Sequence, residues 1–86
     1  MTEQYTADYI RSSVKQMVSD IAEVPLVDVT DTASFMDQLG MDSLRALELM
    51  VAVDKKYKIK IPESEFVNIA NVDQAVAAVQ RQLAAS

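Results

Sequence analysis

Residues 40–57 read GMDSLRALELMVAVDKKY, and this stretch decides the fold. Gly40, the only glycine of the chain, comes just before Asp42, whose carboxylate suits the free N–H groups of a first helical turn. From Ser43 to Tyr57 there is neither proline nor glycine, so the spacing predicts a helix over 43–57. That helix has two apolar faces. Ala46, Leu49, Met50, Val53 and Tyr57 recur at i, i+3, i+4, i+7 and i+11 and form the expected core stripe. Leu44, Leu47 and Val51 recur at i, i+3 and i+7, on a face turned about 100–200° from parts of the first. One face is core; the other is expected either under a loop or free for another protein.

Upstream, Tyr5, Tyr9, Ile10, Val14, Met17, Val18 and Ile21 mark an amphipathic helix over about residues 5–23, which Pro25 cannot continue. Residues 24–41 have no sustained period. Their apolar members Val24, Leu26, Val27, Val29, Phe35 and Leu39 are expected to pin a long loop across the bundle. A helical turn is expected near Phe35–Leu39, with Gly40 as its left-handed cap. Downstream, Lys58–Ile61 alternate like a strand but find no partner, so they read as an extended link whose isoleucines plug the core. Pro62 suits the first position of a short helix, with Glu63 and Glu65 near its positive end. Asn71 is expected to cap a last helix carrying Val72, Ala75, Val76, Val79 and Leu83 and fading in the alanines before Ser86. The expected fold is all-α: a small bundle of three main helices plus one short helix, with a long first loop, forming a single domain over 1–86.

Composition narrows the function. A chain of 86 residues makes one small domain, burying roughly 60% of its unfolded surface. With half its residues hydrophobic and 24% charged it is not a disordered segment. It has no cysteine and no histidine, which excludes disulfides, the usual soft metal sites and a serine–histidine triad. Eight basic against thirteen acidic residues give a net charge of −5, against a nucleic-acid partner. The acids concentrate early: Asp20, Glu23, Asp28, Asp31 and Asp37 share their segment with no base, as a solvated loop or a docking surface for basic partners. The N-terminus has no basic, apolar signal, and the longest strongly apolar run, Leu49–Val53, is too short to span a bilayer. A soluble, cytoplasmic, monomeric domain without a membrane partner is expected.

Ser43 stands at the mouth of the central helix, where unsatisfied N–H groups and the helix dipole favour an attached phosphate. A serine without an activating base is a weak nucleophile, so Ser43 suits being modified rather than attacking. The same residues also serve simply to begin a helix.

Gly40-Met41-Asp42-Ser43-Leu44 resembles the Gly-x-Asp-Ser-Leu motif of acyl carrier proteins. The resemblance extends to Phe35 and Leu39-Gly40 upstream, to Glu48-Leu49 within the helix and to Ile61-Pro62 after it, and covers essentially the whole chain. It implies that Ser43 bears a 4′-phosphopantetheine arm donated by coenzyme A, and that acyl groups ride on the thiol of that arm as thioesters. The missing cysteine is then no obstacle. It further implies attachment in trans by a phosphopantetheinyl transferase with magnesium, which Asp42 would approach while orienting the serine. Leu44, Leu47 and Val51, with Glu48 beside them, would be the surface gripped by acyltransferase, ketosynthase or synthetase partners. The chain itself would catalyse nothing.

Two places depart from the pattern of bacterial fatty acid carriers, which usually have an acid directly after the Ser-Leu pair, where this sequence has Arg45, and an acidic cluster at the end of the helix, where it has Asp54-Lys55-Lys56-Tyr57. From Asp42 to Tyr57 acids and bases balance, three against three. A discrete carrier of a polyketide or another specialised acyl pathway is therefore expected, with Arg45 and the lysines selecting partners by charge pattern. A general type II fatty acid carrier, an aminoacyl or peptidyl carrier, and a noncovalent helical adaptor docking through Leu44, Leu47 and Val51 are the alternatives. Met17 and Met50 could repack around an acyl chain sheltered between the second and third helices.

Overall fold

The computed structural model describes residues 5–85; residues 1–4 and 86, including Glu3 of the acid count and the chain end, lie outside the described residues. Thr6 opens the first helix, its Oγ1 accepting from the Tyr9 N–H at 3.0 Å, and α1 runs Ala7–Ala22. Because Thr6 takes the cap, the helix starts later than its apolar stripe. Tyr5 lies outside it, stacked on Tyr9 at 5.5 Å and edge-on to Tyr57 at 4.7 Å. Glu23 ends α1 in the left-handed conformation, φ 59°. The remaining helices are α2 (Ser43–Tyr57), α3 (Glu63–Phe66) and α4 (Val72–Ala85), and no strand occurs among the described residues. All-α, three long helices and one short, is the architecture read from the sequence.

Ile10, Val14 and Val18 of α1 meet the core stripe of α2 (Leu49, Met50, Val53, Tyr57) and that of α4 (Val72, Ala75, Val76, Val79) in one buried cluster. The loop joins it unevenly. Val29, Phe35 and Leu39 are buried as expected, with Ala33 and Met41 besides, and Val24 is partly covered. Leu26 and Val27 do not pin anything: they sit on a 3₁₀ turn, Leu26–Asp28, and Val27 is 83% exposed. That turn closes through the Asp28 N–H on the Pro25 carbonyl (2.9 Å) and the Val29 N–H on the Leu26 carbonyl (3.0 Å). Its tight path delivers Val29 inward and leaves the two residues before it outside. The turn at Phe35–Leu39 is present, the Ser34 carbonyl accepting from Gln38 and Leu39, and Gly40 follows at φ 71°.

Backbone and charge tie the loop to α4. Phe35 donates to the Ala70 carbonyl at 2.8 Å and Asp73 to the Asp31 carbonyl at 3.0 Å. The Asp31 carboxylate sits 3.0 Å from the Lys15 ammonium and 3.1 Å from the Arg11 guanidinium, which also holds Asp73. Lys15 first, then Arg11, holds the Asp31 carboxyl below the usual carboxylate range, against an opposing desolvation. A folded-state value below the unfolded one means that Asp31 contributes stability above the ordinary carboxylate range and loses it as pH falls through the lowered value. Asp31→Asn is therefore expected to flatten the acid limb of a Tm-against-pH curve below about pH 4. Parallel limbs in the two proteins would count against the tie.

Beyond α2, Lys58 turns the chain at φ 56° and the Asp54 carboxylate accepts the Ile61 N–H at 3.2 Å, which seats Ile61 in the core. Pro62 occupies the cap of α3 rather than its first helical position, one residue earlier than the sequence suggested. Asn71 caps α4, accepting from Gln74 at 2.9 Å, while the Gln74 side chain reaches back to the Ala70 N–H at 2.7 Å.

Candidate functional site

Asp42 is extended (φ −90°, ψ −177°) and its Oδ1 accepts the Arg45 N–H at 2.9 Å, so α2 starts on Ser43. Met41 just before is buried, which presses the chain to the bundle and turns the next three residues outward. Ser43 is exposed and its hydroxyl has no hydrogen-bond partner among the described residues. An unencumbered hydroxyl at the positive end of a four-turn helix fits the attachment of a phosphate-linked group.

The second apolar face of α2 is uncovered. Leu44 is 64% exposed, and Leu47 and Val51 51% each, whereas Leu49 and Val53 on the other side are sealed. Glu48 is exposed beside them. The loop that was one candidate cover lies elsewhere.

Arg45, expected from the sequence to select partners by its charge, is engaged within the chain. Its guanidinium folds back over the end of α1, donating to the Ile21 carbonyl and standing 3.5 Å from the Glu23 carboxylate. A partner that reads Arg45 must compete with both. Lys56 likewise turns to α1, its ammonium 5.2 Å from the centre of the Tyr9 ring. Two of the three bases that balanced α2 on paper thus point toward α1, and Asp42 and Glu48 remain on the Ser43 side. No sequence signal marked the Arg45–Glu23 contact, because it joins two segments whose relation only the fold defines.

Between α2 and α3 lies an open groove of about 260 Å³, walled by Leu47, Met50, Val51, Ile61 and Phe66, with Asp54, Lys60 and Glu63 at its rim. The contribution of Phe66 and Glu63 was not read from the sequence; the Ile61-Pro62 link that swings α3 beside α2 was its only trace. Among the described residues no cluster of three or more acidic side chains could hold a metal ion. No helix among them is long and apolar enough to cross a membrane.

Known proteins are similar to this chain in sequence. The family model described as phosphopantetheine attachment site covers residues 12–79. Polyketide-8 synthase acyl carrier protein 2 of Streptomyces avermitilis is 33% identical over 72 residues, 84% of this chain and 83% of that protein. An acyl carrier protein of Acidothermus cellulolyticus is 34% identical over 67 residues, 78% of this chain and 80% of its own length. The matched span contains the exposed serine at the start of α2 and the groove beside it, and the chain belongs to the acyl carrier protein family, whose domain bears a covalent 4′-phosphopantetheine.

Proposed function

We propose that the chain is a non-catalytic acyl carrier modified at Ser43. One observation carries this: an exposed, unbonded serine hydroxyl stands at the open end of a helix whose outer face is apolar and unburied. When attached, 4′-phosphopantetheine supplies the thiol for thioester chemistry that a chain without cysteine lacks. With no histidine in the sequence, activation of the Ser43 hydroxyl is assigned to the phosphopantetheinyl transferase. Asp42 keeps Ser43 at the head of α2 and offers its carboxylate toward the transferase's magnesium. Leu44, Leu47 and Val51 form the apolar centre gripped by acyltransferase, ketosynthase or synthetase partners, with Glu48 at its edge and Arg45 readable only by displacing Glu23. The groove lined by Met50, Ile61 and Phe66 offers apolar walls to a short acyl chain. Incubation with coenzyme A, magnesium and a broad-specificity transferase is expected to add one arm per chain by intact mass; no gain would end the carrier reading.

The pathway proposed is polyketide or another specialised acyl synthesis, supported by the basic residues late in α2 and by the likeness to a polyketide synthase carrier. A general fatty acid carrier gains from one observation: Arg45 and Lys56 lean toward α1 and leave Asp42 and Glu48 near Ser43. The two diverge in a direct assay. Malonyl-loaded protein is expected to be elongated poorly by a general fatty acid system, and turnover equal to that system's own carrier would favour the second reading.

A further inference from the structure

Eight cations occur in the sequence, and their partners sort them sharply. Arg11 and Lys15 pair with Asp31, Arg45 with Glu23, and Arg81 with Glu65 at 3.0 Å; Lys56 lies over Tyr9. Among the described residues only Lys55, Lys58 and Lys60 have neither an ion pair nor a ring beneath them, and they fall within six consecutive positions. All three are exposed. Asp54, the one acid in the run 54–60, is turned to the Ile61 N–H instead of to them. Lys58 and Lys60 border a shallow depression of about 420 Å³ closed by Ile59 and by Gln82 and Ala85 at the end of α4. A lysine in the last turn complements the carbonyl end of α2, which accounts for Lys55 but not for Lys58 and Lys60 beyond the helix.

We propose that Lys55, Lys58 and Lys60 form a docking surface for an acidic patch on an enzyme that uses the loaded carrier. The surface presupposes the carrier role proposed above. Ser43 and Tyr57 bound α2, so the lysines lie roughly 20 Å along the helix from the attachment point. Asp42 and Glu48 carry the opposite sign near Ser43. A partner that matches both signs docks in one direction only, with its active-site mouth over Ser43. An extended polyanion fits less well. The chain as a whole is at −5, so a long anionic surface is repelled outside the patch, whereas a small acidic patch within about a Debye length is attracted. A lipid surface would also need an apolar side chain to insert beside the lysines, but Ile61 is buried and Ile59 partly so.

The test uses the full chain, converted to its holo form, malonyl-loaded and presented to a ketosynthase that elongates it. In the triple variant Lys55→Glu/Lys58→Glu/Lys60→Glu the transferase is expected to attach the arm as in the wild type, because the patch is at the far end of α2. KM for the ketosynthase should rise about tenfold or more with kcat unchanged, and the triple arginine variant should restore it. Raising salt from about 0.05 to about 0.5 M should narrow the gap. Equal KM values for wild type and reversed protein overturn the docking surface alone. Binding of the wild type, but not the variant, to phosphatidylglycerol vesicles or duplex DNA overturns it in favour of a polyanion site. Failure of the wild type to accept an arm overturns the carrier role and the docking surface with it.

Discussion

Ser43→Ala is expected to be fully folded and unable to gain an arm. Incubated with coenzyme A, magnesium and transferase, it should keep its unmodified mass while the wild type shifts completely. The two halves of that expectation have separate causes. Arm attachment needs a hydroxyl oxygen at position 43, and alanine has none. Stability does not need that hydroxyl, which is exposed and unbonded, and alanine favours a helix slightly more than serine. The cap survives as well, since Asp42 still accepts the Arg45 N–H. Tm should therefore stay within a few degrees of the wild type, on the order of the effect of a surface substitution. Asp42→Asn is the informative companion, because asparagine caps as well as aspartate and removes only the charge. Roughly tenfold slower arm attachment at unchanged Tm would place the Asp42 carboxylate toward the metal; unchanged transfer would leave it a cap alone. A mass gain that persists in Ser43→Ala overturns Ser43 as the attachment point.

What the sequence made legible was local. Asp42 as cap, the 43–57 helix, the Gly40 turn and the Asn71 cap each follow from residues within one or two turns of one another, and each is found. The two-faced pattern of α2 was legible for the same reason: periodicity alone separates Leu49 and Val53 from Leu44 and Val51. Which face would be covered was not, because the answer depends on the path of a loop with no period. Leu26 and Val27 show the limit. They look like core by composition, yet a three-residue turn after Pro25 holds them out. The charges were least legible. Arg45 counted as surface because nothing nearby in sequence pairs with it, and its partners, Ile21 and Glu23, lie at the end of α1. Asp31 looked like one acid of a solvated run, and it ties α1 to the entry of α4 by pairing with Arg11 and Lys15 while its carbonyl accepts the Asp73 N–H. For the candidate site, the attachment residue was readable, while the charge presented around it was not.

Leu49→Ala and Leu44→Ala should separate the two faces of α2 by their consequences. Both changes remove the same atoms from the same helix, so propensity and side-chain chemistry cancel in the comparison. Burial does not cancel. Leu49 is 1% exposed among Ile10, Val14, Val53 and Val76 of the common core, and truncating it leaves a cavity that valine and isoleucine neighbours, stiff at their first torsion, fill poorly. A loss of about 3 kcal/mol follows from the cost of such truncations. A domain of this size holds about 4–13 kcal/mol in all, so a large share of its stability goes, and Tm should drop by roughly 12–24 °C. Leu44, 64% exposed, leaves no cavity, and its truncation should cost about 1 kcal/mol at most. The order reverses when partners are present. Holo Leu44→Ala should raise the KM of an enzyme using the loaded carrier several-fold with kcat little changed, since an exposed apolar centre stabilises the complex and not the fold. Leu49→Ala, assayed well below its lowered Tm, should show a much smaller change in KM. Comparable melting losses in the two variants would mean that Leu44 is packed in solution. An unchanged KM in Leu44→Ala would remove the residue from the gripping surface and leave Leu47 and Val51 to account for it.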